Sequence, residues 1–222
     1  IDGTITENGA GRINLDALSA LRHLTNIGHN VIFVTGRSSV EAYLLAVFGG
    51  TTKIVVGENG GCITIDTNEH ILLGNMSQCQ HALQIIRKEI DNVSEKPVFP
   101  RMTEVVLERT FDLELAKQLV LEKKLNILLS DSQYAFHINS LGIDKGTGFQ
   151  NVMKRLTISS DDVIAIGDSA TDIPLFKVAK TSIALGNSSE YVKSQATMTT
   201  SAKSGDGVIE ALDKLAPTLS EV

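Results

Sequence analysis

The chain has little cysteine. Only two of its 222 residues are cysteines, Cys62 and Cys79. They form no Cys-x-x-Cys pair, and no histidine stands at the spacing of a shared metal site, so we expect neither a disulfide framework nor a zinc centre. Such sparse cysteine is typical of proteins in a reducing compartment, and it predicts a cytoplasmic location.

Excess positive charge and long apolar runs are also missing. The chain carries 20 Lys and Arg against 26 Asp and Glu, a formal charge of −6. An acidic balance is unfavourable for binding nucleic acid or an anionic membrane, so we expect neither partner. No apolar run approaches the roughly 18 residues of a membrane span. No basic-then-apolar leader opens the chain. The chain begins abruptly at Ile1, so we expect its true start to lie upstream.

What remains is an ordinary globular composition. Hydrophobic residues make up 42% of the chain and charged residues 21%, which argues against disorder, collagen and coiled coil. At roughly 150 residues per domain, the length suggests one or two domains. A chain of this size buries enough surface to form a core without covalent cross-links.

Short apolar runs alternate with helical patterns in two separate stretches. Predicted strands are Asn30–Val34, Lys53–Val56, Val163–Ile166 and Ser182–Ala184, and Cys62–Asp66 with His70–Leu73 suggests a hairpin. Predicted helices run from near Asn14 to Gly28, from Ser38 or Ser39 to Phe48, from Lys145 to Leu156 and from Pro174 to Ala179. Fully apolar strands between helices are typical of a parallel sheet with helices on both faces. The fold class predicted is therefore α/β, a doubly wound, Rossmann-like core.

The stretch between these two parts follows another pattern. Helices are predicted over Ser77–Asp91 and Leu113–Lys124, and short strands near Pro97–Phe99, Glu104–Glu108, Asn126–Leu129 and Tyr134–Asn139. The order αββαββ favours antiparallel pairing in an inserted α+β unit. We therefore expect residues 1–76 and 140–222 to form the core, and residues 77–139 an inserted cap domain.

Four loops at predicted strand ends carry reactive side chains. They are Asp2-Gly3-Thr4, Thr35-Gly36-Arg37, Asp144-Lys145-Gly146 and Gly167–Asp172. In an open parallel sheet, ligands bind outside the carboxyl ends of the strands, so neighbouring strands would bring these loops to one crevice. Clustered carboxylates require a cation, and Mg²⁺ takes one or two carboxylates together with phosphate oxygens. A lysine and a threonine beside them suit phosphoryl transfer.

The order and spacing of these motifs resemble the haloacid-dehalogenase-like hydrolase superfamily. Its four motifs are matched by Ile1–Thr6, Thr35–Arg37, Lys145 and Gly167–Asp172. The insert between the second and third motifs resembles the type 2 cap, in its B subtype. The loops Gly57–Gly61 and Ala184–Asn187 are similar to those of that branch, and size, small cap and motifs together are most similar to archaeal-type phosphoglycolate phosphatases.

The resemblance has one departure. The family's nucleophile is an aspartate two positions before Asp2, and Ile1 is the first residue of the chain. The strand that leads into this motif in the family has no counterpart either. We therefore expect the nucleophile just before Ile1, and assign that role to no residue of the chain.

The resemblance implies roles for three carboxylates. Asp2 would protonate the leaving group and later deprotonate water, an acid role that needs surroundings that raise its pKa; its backbone carbonyl would also bind Mg²⁺. Asp168 would bind the metal directly. Asp172 would bind it directly or orient a metal-bound water. The cofactor expected is Mg²⁺.

The other loop residues are implied to bind phosphate. Lys145 would neutralise charge between phosphate and nucleophile, and Thr35 would act beside it in catalysis. The remaining phosphate or substrate contacts expected are Thr4, Gly36, Arg37, Asn59 and Asn187. In the cap, Arg101 or Arg109 would bind a substrate carboxylate bidentately.

The function implied is Mg²⁺-dependent hydrolysis of a small phosphorylated metabolite through an aspartyl phosphate, with 2-phosphoglycolate as the first choice. A sugar-phosphate phosphatase or a phosphomutase of the same superfamily is the main alternative. A non-enzymatic phospho-acceptor or binding domain also stays open. A homodimer is a further expectation.

Overall fold

The computed structural model describes residues 1–7, 11–217 and 219. The predicted core also includes residues 8–10, 218 and 220–222, which lie outside the described residues. Helices are α1 Leu15–Asn26, α2 Ser39–Gly49, α3 Met76–Glu89, α4 Leu113–Glu122, α5 Lys145–Leu156, α6 Ile173–Phe176, α7 Glu190–Lys193 and α8 Ser204–Leu215. Strands are β1 Val55–Gly57, β2 Cys62–Asp66, β3 Glu69–Leu72, β4 Val105–Leu107, β5 Ile127–Asp131, β6 Phe136–Ser140, β7 Ile164–Gly167, β8 Thr181–Ala184 and β9 Met198–Thr199.

Parallel strands with helices on both faces form the core, which confirms the predicted α/β class. β7, β8 and β9 form one parallel sheet. Residues 31–35 run parallel to β1: the Val56 amide donates to the Phe33 carbonyl at 2.9 Å, and the Thr35 amide to the Val56 carbonyl at 2.8 Å. The strand predicted over Asn30–Val34 is thus present only as one bridge, between Val34 and Val56.

A cavity of about 370 Å³ separates residues 31–34 from β7. Its walls are mostly apolar and come from both segments and from helices on either side. Among the described residues, the sheet of β7 and the strands near β1 therefore share no ladder of hydrogen bonds. Ile1 and Thr4 line the same cavity, so the first loop lies beside both segments.

The cap forms around an antiparallel sheet in the order β4-β6-β5. The strand predicted near Pro97–Phe99 is wrong: in that stretch only Glu95 is bridged, to Leu107. Proline has no amide hydrogen for a ladder, and two prolines flank this short apolar run. Among the described residues the cap order is therefore helix, strand, helix, strand, strand.

The cap and the core have separate apolar clusters. One buried cluster contains only residues from Cys79 to Ile138, contributed by α3, α4 and the cap sheet. The other apolar clusters of the described residues draw on residues outside that range. This separation supports a cap with its own core, although boundaries at residues 77 and 139 stay a prediction.

Local signals explain where the helices begin that carry the functional loops. Ser38 caps α2, with Glu41 returning a hydrogen bond to the cap amide. Asp144 caps α5 in the same reciprocal manner with Thr147. Each cap satisfies amides that the first helical turn leaves without partners. Because the second and third motifs lie next to these caps, their residues are held at helix starts.

No helix among the described residues is both long and apolar enough to cross a membrane.

The cap core yields a prediction about stability. Leu107 is fully buried in β4, so Leu107→Ala should lower the free energy of unfolding by roughly 2–5 kcal/mol through lost burial and an unfilled cavity. Leu121→Ala is the matched control, because Leu121 is 77% exposed on α4. Urea unfolding followed by circular dichroism measures both. Equal effects of the two substitutions would contradict the assignment of Leu107 to a packed core.

Candidate active site

A buried ion pair joins the third and fourth motifs. Lys145, the first residue of α5, donates from Nζ to Asp172 Oδ1 at 2.7 Å, and the two side chains are only 9% and 8% exposed. The other carboxylate oxygen of Asp172 accepts from the amides of Asp168 and Ser169. Burial raises the pKa of Asp172, but the charge and hydrogen bond of Lys145 outweigh burial and hold it at about 2. Asp172 is therefore ionised and rigidly held.

Two glycines allow these loops to approach. A Cβ atom on Gly146 would lie 2.4 Å from the Pro174 carbonyl oxygen, and one on Gly167 would lie 2.7 Å from the side chain of Asp172. Both distances are shorter than real Cβ contacts allow. The start of α5 and the loop after β7 can therefore meet only where these positions have no side chain.

Asp168 lies beside this pair and contacts the first loop. Its Oδ1 accepts from Thr4 Oγ at 2.8 Å. Asn187 donates to the Gly3 carbonyl at 2.9 Å, and its amide nitrogen lies 3.5 Å from Asp168 Oδ2. Burial and the negative charge of Asp172 raise the pKa of Asp168. The structure thus brings together five of the predicted residues: Thr4, Lys145, Asp168, Asp172 and Asn187.

Asp2 faces elsewhere. Arg37 binds its carboxylate through two nitrogens, at 2.6 and 2.7 Å, and also donates to Glu41 at 2.9 Å. Burial raises the pKa of Asp2, but the hydrogen bonds and charge of Arg37 outweigh it and lower the pKa. The surroundings that an acid role requires are therefore not found in this state: the expectation of a raised pKa is wrong here, because the guanidinium stabilises the ionised form.

The second motif lies under the cap. Thr35 is buried, and its hydroxyl oxygen accepts from the Arg37 amide at 3.1 Å. Asn59, which has a left-handed backbone at φ 53°, packs against Gly36 so closely that a Cβ there would lie 3.0 Å from its side-chain oxygen. The Asn59 amide nitrogen donates to Glu104 of the cap at 3.1 Å. Asn59 therefore connects the second motif to the cap.

A buried polar network crosses from the cap to the core, and sequence reasoning missed its two glutamates. Glu104 is 1% exposed and contacts His137, Asn139 and Arg101 as well as Asn59. Glu58 is fully buried, and its carboxylate accepts from the Met102 and Thr103 amides and the Thr103 hydroxyl. The sequence contained a signal for each glutamate. Glu58 lies in the Gly57–Gly61 loop that is similar to the family's, and Glu104 directly precedes the apolar strand β4.

The two cap arginines have different surroundings. Arg101 donates to the Gly36 carbonyl at 2.7 Å and is 9% exposed. Arg109 is 45% exposed and pairs with Asp131 at 2.8 Å. Its other described contacts, with the Gln133 carbonyl and the Phe136 ring, also lie within the cap. The structure therefore brings Arg101, and not Arg109, to a predicted site loop.

Two of the three predicted metal-binding aspartates lie where they could bind a divalent cation. The described residues contain no group of three His, Cys, Asp or Glu that could hold a metal, and the carboxylate of Asp2 is bound to Arg37. Asp168 and Asp172 do lie side by side, and burial together with the negative charge of Asp172 raises the pKa of Asp168. A cation would relieve the repulsion between the two carboxylates, and Mg²⁺ needs only one or two carboxylates besides waters and phosphate oxygens. The donor set of these two aspartates is thus compatible with Mg²⁺.

Comparisons with known proteins agree with the family resemblance of the motifs. A family model described as haloacid dehalogenase-like hydrolase matches residues 1–95 and 89–212. A phosphoglycolate phosphatase of Nitrosopumilus maritimus is 71% identical over all of this chain and 96% of its own length. A phosphoglycolate phosphatase of Methanosarcina mazei is 36% identical, covering 97% of this chain and 93% of its own. The chain belongs to the haloacid dehalogenase-like hydrolases.

Solved structures show the same fold. A protein from Thermoplasma acidophilum superposes with a TM-score of 0.86 at 19% identity, covering 97% of this chain and 95% of its own. A sugar phosphatase described as subclass IIB of the superfamily gives 0.77 at 17% identity, with 97% and 96% covered. These likenesses concern the fold alone, and they agree with the predicted α/β fold class.

The ion pair at the centre of the site yields a prediction. Lys145→Met should lower the free energy of unfolding by roughly 3–5 kcal/mol at pH 7, because it leaves the charge of Asp172 buried without a partner. In the wild type the pKa of Asp172 is about 2, below its unfolded value of about 3.9. Its ionised form therefore stabilises the fold above about pH 4, and this contribution is lost as the pH falls towards 2.

In the variant, the charge and hydrogen bond of Lys145 no longer oppose burial, so the pKa of Asp172 rises and the penalty shrinks once acid protonates the carboxyl. The difference between wild type and variant should then be largest near neutral pH and shrink below about pH 4. Urea unfolding at both pH values measures this. Lys177→Met, at an exposed position shortly after the fourth motif in the chain, is the control and should change stability by less than about 0.5 kcal/mol. A difference independent of pH would contradict the role given to Asp172.

Proposed function

We propose that this chain hydrolyses the phosphomonoester of a small metabolite, with 2-phosphoglycolate as the substrate and glycolate and phosphate as the products. The observation that carries the proposal is the buried contact of Lys145 and Asp172 beside Asp168 and Thr4. The two relatives named phosphoglycolate phosphatase support the choice of substrate. The covalent aspartyl-phosphate step rests on the resemblance of the motifs, and its nucleophilic aspartate is assigned to no residue of this chain.

Charge around the phosphate is supplied by groups held at helix starts. Lys145 is fixed by Asp172 at 2.7 Å, so its ammonium needs no reorganisation to meet a phosphate oxygen. The Thr35 hydroxyl and the Gly36 amide bind further oxygens. Asp168 and Asp172 would hold Mg²⁺, which when bound neutralises phosphate oxygens. Thr4 and Asn187 support Asp168 and the first loop, and thus act as positioning residues.

Proton transfer belongs to Asp2 in this proposal. While Arg37 holds its carboxylate, the lowered pKa of Asp2 keeps it ionised, which suits a base that deprotonates water. The acid step needs a proton on the same carboxyl, so Arg37 must release Asp2 first. A phosphate group is the natural competitor for that guanidinium, because arginine binds phosphate and carboxylate through the same paired donors. Arg37 is therefore included among the phosphate contacts.

The homodimer and the cytoplasmic location stay predictions. Both cysteines are free and buried, which is compatible with a reducing compartment. Nothing else in this proposal depends on either property.

Metal dependence is the first test. The protein should hydrolyse 2-phosphoglycolate in the presence of Mg²⁺, lose the activity in EDTA and regain it when Mg²⁺ is restored, because without the cation the charge on the phosphate oxygens is not neutralised. Asp168→Ala should abolish nearly all turnover. Asp161→Ala is the matched control, since Asp161 is 75% exposed in a surface pair with Lys180, and it should retain activity. Full turnover in chelator would contradict the metal assignment.

A second test concerns the proton-transfer residue. Asp2→Asn keeps the size of the side chain and an oxygen for Arg37, but it cannot carry a proton. We expect kcat to fall by roughly 10²–10⁴-fold, the usual contribution of general acid–base catalysis. Inhibition by inorganic phosphate should stay close to the wild-type value. Asp16→Asn, at an exposed position of α1, is the control. A kcat within twofold of wild type, with chemistry rate-limiting, would remove Asp2 from this role.

A further inference from the structure

Arg101 extends from the cap to the second motif of the core. Its Nη1 donates to the Gly36 carbonyl at 2.7 Å, and its side chain is only 9% exposed. The amide of the same Gly36 is a predicted phosphate donor. The nitrogen and carbonyl oxygen of one residue lie roughly 3–4 Å apart. Arg101 Nη1 therefore lies within roughly 7 Å of the amide that is predicted to hold the phosphate.

A buried carboxylate holds this guanidinium in place. Glu104 Oε1 lies 3.2 Å from Arg101 Nη1 as an ion pair, and the glutamate side chain is fully buried. Among the described residues, this oxygen accepts no hydrogen bond. Its other oxygen, Oε2, contacts His137 and Asn139 in the cap and Asn59 in the core. Burial raises the pKa of Glu104, but His137 and Arg101 outweigh it and lower the pKa. Glu104 is therefore a fixed negative charge, and Arg101 cannot swing away from the core without leaving it.

Arg101 still has an unused donor. Among the described residues, its Nε is buried and has no hydrogen-bond partner. Buried polar atoms are nearly always paired, so an unpaired one at a site requires an explanation. Nε and a terminal nitrogen of a guanidinium together match the two oxygens of a carboxylate. An anionic group entering the crevice would supply the missing partner.

We propose that Arg101, positioned by Glu104, binds the carboxylate of the substrate and so selects a phosphorylated two-carbon hydroxy acid. This inference rests on the proposed function and adds the residue that decides specificity. The reach agrees with it, because phosphate and carboxylate are separated by one methylene and one ester oxygen in such an acid. Arg109 has no part in this, since its described contacts lie within the cap.

The test compares two substrates of equal length. One is 2-phosphoglycolate, and the other is 2-hydroxyethyl phosphate, which has a hydroxymethyl group in place of the carboxylate. Arg101→Ala should raise KM for 2-phosphoglycolate by about 10- to 100-fold, the range for losing a hydrogen bond to a charged group. KM for 2-hydroxyethyl phosphate and kcat for both should change by less than about threefold, because neither depends on the carboxylate contact.

Further variants separate binding from folding. Arg101→Lys keeps a positive charge opposite Glu104 but loses the paired donors, so it should recover part of the affinity for 2-phosphoglycolate. Glu104→Gln should raise the same KM by a smaller factor, since the guanidinium loses its fixed counter-charge. Arg87→Ala is the matched cap control, because Arg87 pairs with Glu95 on the surface at 3.2 Å, and it should leave both substrates unaffected. Far-UV circular dichroism establishes that each variant folds.

Several results would overturn the proposal. Parallel losses on both substrates would make Arg101 structural, and no loss would remove it from the site. A selective loss in Arg109→Ala instead would assign the carboxylate to the other arginine. If the wild type hydrolyses both substrates equally well, the specificity inference fails while the phosphatase stands. If it hydrolyses neither, the proposed function fails. Titration calorimetry with 2-phosphoglycolate still tests whether Arg101 binds the carboxylate, because it needs no turnover. The Arg101→Ala variant should bind 2-phosphoglycolate about 10- to 100-fold more weakly than the wild type.

Discussion

The arrangement of the site depends on one ion pair, between Lys145 and Asp172. Lys145 begins α5 and Asp172 ends the turn after β7, so their 2.7 Å contact fixes two loops that are 27 residues apart in the chain. Asp172 then aligns the amides of Asp168 and Ser169. Removing charges from water is costly, and here that cost is offset only because each polar atom is paired. The charge balance of the crevice is thus set before any ligand arrives.

Much of this could be predicted from the sequence. Strand-end loops lie at one edge of a parallel sheet, so the spacing of the motifs predicted that Lys145, Asp168 and Asp172 would meet. The direction of one side chain could not be predicted. The carboxylate of Asp2 turns to Arg37, and a sequence does not show which rotamer a side chain adopts. Glu104 was missed because a single buried charge at a strand start has no periodic signal, and only its partners from the cap and core reveal it.

Errors in secondary structure have similar physical causes. Residues 97–99 combine apolar side chains with flanking prolines, and the missing amide hydrogens decided against a strand. Helix α8 was not predicted at all. It contains Gly205 and Gly207, which lower helix propensity, yet a Cβ at Gly205 would lie 2.2 Å from the Asn14 side chain. Close packing of α8 on α1 requires glycine there, and this contact is invisible in a local pattern.

The polar character of the contact between cap and core affects how the crevice can open. No apolar cluster of the described residues bridges the two, and the contacts that do are hydrogen bonds, such as those of Glu58 with Thr103 and of Asn59 with Glu104. Water can replace each such bond, so its net contribution is only about 0.5–1.5 kcal/mol, or about 1.5–3 kcal/mol where one partner is charged. An apolar contact of the same area would oppose separation by the full hydrophobic effect. The boundary is therefore suited to repeated wetting and drying, the cycle that admission of a charged metabolite and release of two hydrophilic products would impose.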